Sequence, residues 1–344
     1  MTEKQKILVR FHTKITSYVL LTFLTGPSTY TVSTVNNRLL TKGVISMDEH
    51  LYENVILGTY GMNVMDFSEE QAEYIRECVD RLRRNFCHSV CPNRYGEERA
   101  RDAYMVTYYP YYVEPMRRVM EDWVIPGLRR HYRQLKLAFF SAGPCPELRG
   151  VLEALQGKSL YDHLYVHVHD LERGWMDKQR WAWDLCEIDG LRSEMDNLFQ
   201  VGECDNMRPC DTCRALQLCQ RDMYRDTDVY FMQNYLSHVE DVDAYLVQLR
   251  DRFDRMKRGA MFAIVDLNYA NVRAVLQSIC SELPPDMEVR GTNIWNAFPE
   301  SCPYPFSLPD GLEQRIFVGN LNGQRLIPKR STRYYYAVLQ KRGY

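Results

Sequence analysis

The spacing of apolar positions changes character at residue 135. Residues 135–140 are apolar except for Lys136, as in a strand that is covered on both faces. Residues 147–155 then place leucine and valine three and four positions apart, which predicts a helix with one buried face. Residues 161–170 alternate valine with histidine and predict a second strand. A strand, a turn, a helix and a strand in this order predict an α/β fold.

The same alternation continues to the end of the sequence. Three further strands are predicted, at residues 198–201, 228–235 and 259–266. Helices are predicted between and after them, at residues 239–256 and 271–283. Residues 315–319 and 334–340 are rich in aromatic and β-branched side chains and flank a polar turn, so they predict a terminal strand pair. The expected sheet has five parallel strands and a terminal antiparallel pair.

The first 134 residues have a different pattern. Helical spacing predicts helices at residues 7–24, 46–57, 68–86, 97–112 and 114–130, and residues 29–35 predict an extended segment. We therefore divide the chain into a mainly helical N-terminal region, residues 1–134, and an α/β domain, residues 135–344.

Composition limits the class of protein. The 344 residues are 45% hydrophobic and 26% charged, which is enough apolar material for a large packed core. The net charge of −2 does not indicate a general nucleic-acid binder. The first residues are polar, and the apolar run at 18–24 is too short to cross a bilayer, so we expect an intracellular protein, cytoplasmic or nuclear, without a membrane partner.

The turn after the first predicted strand is the main candidate for a ligand site. Residues 141–145 read Ser-Ala-Gly-Pro-Cys and lie between a buried strand and a helix, where free backbone N–H groups allow close approach of a nucleotide-like ligand. Asp170 ends the second strand, 27 residues after Gly143. An acidic residue at this place holds the hydroxyl groups of a ribose in doubly wound sheets.

These residues resemble the glycine-rich first motif of class I S-adenosylmethionine-dependent methyltransferases, in the variant with proline after the central glycine. The resemblance covers roughly residues 130–344 and rests also on the order of the predicted elements. Ser141 and Cys145 stand where the family has glycines, and Phe139 stands where it has an acidic residue. The resemblance implies a Rossmann-like methyltransferase sheet with an N-terminal helical layer, and S-adenosyl-L-methionine as cofactor.

The resemblance also implies roles for individual residues. The backbone of Ser141, Ala142, Gly143 and Pro144 would contact the methionine part of the cofactor. Asp205, after the third strand, would receive the adenine amino group. The family often has an aromatic residue on a helix ahead of the first strand that contacts the ligand, and Tyr104 and Tyr108 are the candidates. Packing between the helical layer and the sheet is the alternative for both tyrosines.

The end of the fourth strand carries Gln233, Asn234, Tyr235 and His238. Ligands of open α/β sheets lie outside the carboxyl ends of the strands, so these residues are expected to face the methyl donor and the acceptor. Many amino-methylating members of the family carry Asn/Asp-Pro-Pro-aromatic here, and this chain has no prolines at that place. His238 is a candidate general base, and a histidine without a catalytic part is the alternative. Trp175 is a candidate for stacking on the adenine.

Cysteines cluster downstream of the third strand. Cys204, Cys210, Cys213 and Cys219 have the spacing C-x5-C-x2-C-x5-C, and the central pair has the spacing of zinc ligands. The outer two gaps are not those of a common zinc finger, and reduced cysteines in a loop and helix are the alternative.

Two functions follow from these patterns. The first is an S-adenosylmethionine-dependent methyltransferase with an unidentified acceptor. The second is a non-catalytic scaffold on the same fold, a subunit of a complex that binds a protein partner through the N-terminal helical region. A dinucleotide-dependent enzyme is a third reading, against which the lack of a full Gly-x-Gly-x-x-Gly motif argues.

Overall fold

The structure is a computed structural model. It describes residues 50–85, 95–191, 197–203, 226–304, 307–318, 320–321, 324–325, 328 and 331–343. The N-terminal helix predicted at 7–24 and the extended segment at 29–35 lie outside these residues.

One mixed, mostly parallel sheet forms the centre of the α/β part. Its strands are β1 (Tyr132–Phe140), β2 (Tyr161–Asp170), β3 (Asn197–Glu203), β4 (Val229–Gln233), β5 (Met261–Leu267), β6 (Met287–Thr292), β7 (Glu300–Pro303) and β10 (Ser331–Lys341). The strands β8 (Asn320–Leu321) and β9 (Gln324–Arg325) form a separate two-stranded sheet. The strand order in the central sheet is β3-β2-β1-β4-β5-β10-β6, and β7 pairs with β10. Five neighbouring strands, β3, β2, β1, β4 and β5, run parallel to one another. The predicted fold class, a Rossmann-like α/β sheet with five parallel strands and a terminal antiparallel pair, is confirmed.

The partner of the last strand differs from the prediction. β10 lies between β5 and β6 and is antiparallel to both. The predicted strand at 315–319 is wrong, because a short helix, Leu312–Arg315, occupies its start. Ile316 and Phe317 are buried instead against the N-terminal helices, so their apolar character reflects packing of a helix end. The strand that completes the antiparallel pair is β6.

Side chains of β1 alternate between two cores on opposite faces of the sheet. Leu135, Leu137 and Phe139 point into one core, and Ala138 and Phe140 into the other. The first core is closed by α4 (Val113–Val119), α5 (Pro146–Leu155) and α6 (Met176–Ile188), and the second by α7 (Val242–Arg255) and α8 (Ala270–Ser281). A strand buried on both faces explains the nearly continuous apolar run at 135–140.

The N-terminal layer consists of α1 (Leu51–Tyr60), α2 (Glu69–Asn85), α3 (Glu98–Thr107) and α4. A reciprocal capping box opens α2, with Gln71 N–H donating to Ser68 Oγ and Ser68 N–H to Gln71 Oε1. A 3-10 turn, Tyr109–Tyr112, contains Pro110 and separates α3 from α4, so the first of the two predicted helices ends earlier than the predicted residue 112. α4 continues through a π-helical turn, Met120–Val124, to a final turn that ends at Gly127.

Residues from this layer enter the same cores as the sheet. Met116 and Val124 belong to the first core, and Tyr104 packs in a cluster with Trp175 and Leu267. The division of the chain at residue 134 stays a prediction. Among the described helices, none has the length and apolar character needed to cross a membrane.

Candidate functional site

The loop of residues 141–145 joins β1 to α5 at the carboxyl edge of the sheet. Ser141, Gly143 and Cys145 all have positive φ, at 49°, 53° and 58°. The turn is closed by the Cys145 N–H, which donates to Ala142 O at 2.7 Å. Left-handed backbone costs a residue with a Cβ about 1–2 kcal/mol. Strain of this kind at a strand-to-helix turn is typical of functional sites.

Asp170 ties this loop to the end of β2. Its Oδ2 accepts a hydrogen bond from Gly143 N–H at 2.7 Å, and its Oδ1 accepts one from Glu172 N–H at 2.8 Å. Ala142 N–H also donates to His169 O at 3.1 Å. The structure thus brings together the glycine and the acid that are 27 residues apart.

Trp175 and Gln179 flank the same glycine. The Trp175 indole lies within 4 Å of the point where a Gly143 Cβ would stand. Gln179 is buried, and its Nε2 donates to Gly143 O at 2.7 Å. The side chain of Glu172 caps the 3-10 turn that carries Trp175 by accepting from Gly174 N–H. Gln179 was not singled out from the sequence, because a lone glutamine within a helix gives no local signal.

A group of rings that we call the aromatic layer stands beside the loop. It consists of Tyr95, Tyr104, Tyr108, Tyr112 and Trp175. The Tyr104 ring centroid lies 5.6 Å from that of Trp175 and 5.4 Å from that of Tyr108, which stacks on Tyr112 at 5.7 Å. Tyr104 and Tyr108 are only 9% and 5% exposed, so in this structure both have packing roles. Their contact with a cofactor stays a prediction.

The end of β4 contacts the aromatic layer and its helices. Met232 of β4 pairs with Phe140 of β1, which places the next residue, Gln233, beside the loop. Gln233 Nε2 donates to Tyr112 O at 2.6 Å. Asn234 has a φ of 57°, and its side chain hydrogen-bonds the Tyr104 hydroxyl, whose pKa is raised well above its usual range by burial.

Tyr235 and His238 lie on or beside the 3-10 turn Leu236–His238. The Tyr235 ring packs against Tyr245 of α7 at a centroid distance of 6.0 Å. His238 is half-buried, and burial lowers its pKa, so the imidazole is neutral near pH 7 and can accept a proton. The structure therefore brings Asn234 to the aromatic layer, whereas Tyr235 packs toward α7.

Asp266, at the end of β5, fixes this turn. Its Oδ2 accepts from Leu236 N–H at 2.7 Å, and its Oδ1 accepts from Leu267 N–H at 2.6 Å. Burial raises the pKa of this carboxyl to about 7, and the backbone N–H groups act in the opposite direction. The predicted strand ends at this residue, but the pattern gives no sign of the role of its carboxylate.

Glu147 is a second buried carboxyl that the sequence pattern did not single out. It is the second residue of α5 and is 1% exposed. Burial raises its pKa to about 8, and the Cys145 thiol beside it hydrogen-bonds the carboxylate. On sequence grounds Glu147 resembles the acidic residues that commonly stand in the first turn of a helix. Such residues are usually exposed, whereas Glu147 is buried.

Several predicted site residues lie outside the described residues. These are Asp205 and the cluster Cys204, Cys210, Cys213 and Cys219. Within the described ranges, no group of three or more His, Cys, Asp or Glu side chains could hold a metal ion.

Comparison with known proteins gives similarity in structure only. No family model matches the chain, and no curated protein matches its sequence. Among the solved structures similar to it are an rRNA methylase and several methyltransferases, one of them named as S-adenosylmethionine-dependent. One, from Clostridium acetobutylicum, has 10% identity and a TM-score of 0.33 over 67% of this chain and 92% of its own.

Two other similar structures are named for a substrate or a bound ligand. The mitomycin 7-O-methyltransferase has 11% identity and a TM-score of 0.37, covering 81% of this chain and 74% of its own. An N-methyltransferase from Bradyrhizobium japonicum, solved with S-adenosyl-L-homocysteine, has 9% identity and a TM-score of 0.34, covering 77% of this chain and 98% of its own. Identities and scores this low say nothing about substrate.

Proposed function

We propose that this chain is an S-adenosylmethionine-dependent methyltransferase. The observation that supports the proposal is the hydrogen bond from Gly143 N–H to Asp170 Oδ2, which joins a strained strand-to-helix loop to the acidic end of the next strand. Both groups lie at the carboxyl edge of a mostly parallel sheet, where ligands of such sheets bind. The acceptor is left open.

The cofactor would lie across the ends of β1 and β2. Backbone groups of residues 141–144 would contact its methionine part, and Asp170 would accept hydrogen bonds from the ribose hydroxyls. Asp205 would receive the adenine amino group. The remaining cofactor contacts that we assign are the side chains of Tyr104, Tyr108, Trp175 and Gln233.

Chemistry at this site requires mainly alignment. When bound, the cofactor would supply a methyl group on a sulfonium sulfur for direct displacement by the acceptor atom, with the electron pair of the broken bond left on sulfur. Holding the two reactants in line is the main contribution a protein makes to such a displacement. Asn234 and Tyr235 would orient the acceptor, and neutral His238 would take the proton that the acceptor loses.

The test is calorimetric titration with S-adenosylhomocysteine. We expect micromolar binding by the full chain and a loss of roughly tenfold or more, or about 1.4 kcal/mol, for Asp170→Asn. Asp162→Asn is the matched control, because Asp162 lies on the same strand, is exposed and pairs with His131. Equal affinity of Asp170→Asn and the original chain would remove the central residue of the proposal.

A non-catalytic scaffold is the second candidate. Two observations favour it: Phe139, at the strand end where the family has an acid, stacks on Phe231 at 4.7 Å, and Trp175 already lies against Gly143. Under this proposal the N-terminal helical region would hold a protein partner. A folded, monodisperse sample that binds no S-adenosylhomocysteine would favour the scaffold.

A further inference from the structure

Three buried oxygen atoms around the 141–145 loop have no hydrogen-bond partner within the described part of the chain. They are the Oε1 atoms of Glu147, Gln179 and Gln233. The amide groups of the two glutamines are oriented by their other ends, because each Nε2 donates to a backbone carbonyl. The two glutamine oxygens are therefore acceptors, and the Glu147 oxygen is one when its carboxyl is ionised.

Unsatisfied buried acceptors are costly. A buried polar group without a partner costs about 1–3 kcal/mol, and native structures hold few of them. Two amide oxygens and a carboxyl without partners suit a ligand that brings several N–H donors. A primary ammonium group, with three donors on one atom, has this chemistry.

Glu147 is the one of the three that can carry charge. Among the described residues it forms no ion pair with a basic side chain, and the groups in electrostatic contact with it are acidic or neutral. They are the Cys145 thiol on the loop, the Asp170 carboxylate on β2, and the Tyr104 and Tyr109 hydroxyls of the N-terminal layer. Burial raises the pKa of Glu147 to about 8, so the free protein holds it protonated near pH 7. A cation placed beside it would favour the ionised form.

We propose that Glu147 binds the α-ammonium group of the methyl donor, with Gln179 and Gln233 accepting its remaining N–H bonds. This inference rests on the proposed function. The donor carries its ammonium on the methionine part, which the loop backbone would contact, and its ribose hydroxyls would be at Asp170. Glu147 is the second residue after the loop and is in electrostatic contact with Asp170.

Two ligands that differ in the amino-acid part test the assignment. S-adenosylhomocysteine carries the ammonium, and 5′-methylthioadenosine keeps the adenine, the ribose and the sulfur but lacks it. We expect Glu147→Gln to weaken S-adenosylhomocysteine roughly tenfold or more and to leave methylthioadenosine within about a factor of two. Asp266→Asn is the matched control, because it removes a second buried carboxyl and is expected to leave the ratio of the two affinities unchanged.

A measurement on the unsubstituted protein covers the case in which Glu147→Gln does not fold. Titrations in buffers of different ionisation enthalpy count the protons released on binding. Near pH 7 we expect S-adenosylhomocysteine to release close to one proton more than methylthioadenosine, since the ammonium ionises a carboxyl that is protonated beforehand.

The outcomes separate this inference from the proposed function. Equal weakening of both ligands by Glu147→Gln would show a structural role and overturn the inference, as would equal proton release by both ligands. Failure of the unsubstituted protein to bind either ligand would overturn the proposed function itself, and the inference with it.

Discussion

Three residues of the 141–145 loop hold a left-handed backbone, and only one of them is glycine. At the residue scale, the shape of the site thus depends mainly on the backbone conformation of this loop. Ser141 and Cys145 adopt positive φ although each carries a Cβ, so the surrounding contacts must hold them there. The bond from Gly143 to Asp170 and the bond from Ala142 N–H to His169 O are two of these contacts.

The variant Gly143→Ala distinguishes the cost of a strained backbone from an effect on ligand binding. Gly143 and Gly157 both have positive φ, at 53° and 70°, so alanine at either costs roughly 1–2 kcal/mol of stability. A methyl group at Gly143 would project toward Trp175, 3.8 Å away, into the face that we assign to the cofactor, whereas Gly157 has open space around it. We expect urea denaturation to show similar losses for both variants and calorimetry to show weaker S-adenosylhomocysteine binding only for Gly143→Ala. Equal affinity of the two variants would count against a ligand at this loop.

The buried carboxyl of Glu147 gives stability a pH dependence. Its pKa is raised from 4.5 to about 8 in the folded protein, so the folded state holds a proton that the unfolded state has lost between these values. The free energy of unfolding therefore falls as pH rises from about 4.5 through 8, and the contribution is fully present only below the unfolded pKa. Glu147→Gln removes this dependence, and we expect its denaturation midpoint to fall less steeply over that range. Parallel curves for the two proteins would contradict the assigned pKa.

Sequence reasoning found part of the site and missed part, for one physical reason. The meeting of Gly143 and Asp170 follows from local pattern, because the carboxyl ends of adjacent parallel strands must lie side by side. The importance of Glu147, Gln179 and Asp266 depends on burial, which the packing of other elements determines. No periodicity within their own segments distinguishes a buried polar residue from an exposed one.

At the scale of elements, periodicity predicted the strands buried on both faces and most of the helices between them. β6 was missed because its six residues mix buried, half-buried and exposed positions and include Gly291, which packs under the ring of Trp123. The residues at 315–319 were assigned to a strand because burial of Ile316 and Phe317 by distant helices gives the same composition as a strand. Both errors come from contacts that lie far away in sequence.

Helix contacts around Gly150 are expected to be intolerant of a side chain. A Cβ at this position of α5 would lie 2.3 Å from Val113 O and 3.0 Å from Arg117 N, both backbone atoms of the neighbouring helix. Alanine gains about 1 kcal/mol in helix propensity, but overpacking costs about 1–3 kcal/mol or more when backbone must move. We expect Gly150→Ala to lower the free energy of unfolding on balance.

Gly127→Ala is the comparison for that variant. Its Cβ would meet the Met261 side chain, 2.6 Å from the sulfur, and a methionine can change rotamer to make room. Chemical denaturation should therefore show a smaller loss for Gly127→Ala than for Gly150→Ala. A loss at Gly127 as large as that at Gly150 would show that side-chain flexibility does not decide the cost.

At the scale of the whole molecule, the N-terminal layer and the α/β part share their apolar cores. Met116, Met120 and Val124 belong to the core on one face of the sheet, and the cluster around Tyr104 includes Leu267 of β5. The fold of the α/β part could be predicted from residues 135–344, but this shared packing could not, because it joins elements that are far apart in the chain.

Removal of the layer tests this dependence. We expect a fragment that begins at residue 129 to lose cooperative unfolding, because the apolar surface that α4 covers would face water. Circular dichroism and calorimetric melting, with the full chain as the control, would measure it. A fragment that melts in a single sharp transition would show that the α/β part is stable alone.

The position of β10 has a consequence for how the protein is made. Its eleven residues lie between β5 and β6, and the ribosome synthesises them after every other strand of the sheet. Until residue 341 has left the ribosome, β5 carries an open edge of backbone donors and acceptors, and β6 has no strand to join. Exposed strand edges of this kind invite pairing with other chains. The sheet is therefore completed only once β10 has been synthesised, and the nascent protein is most vulnerable to aggregation before this strand enters the gap.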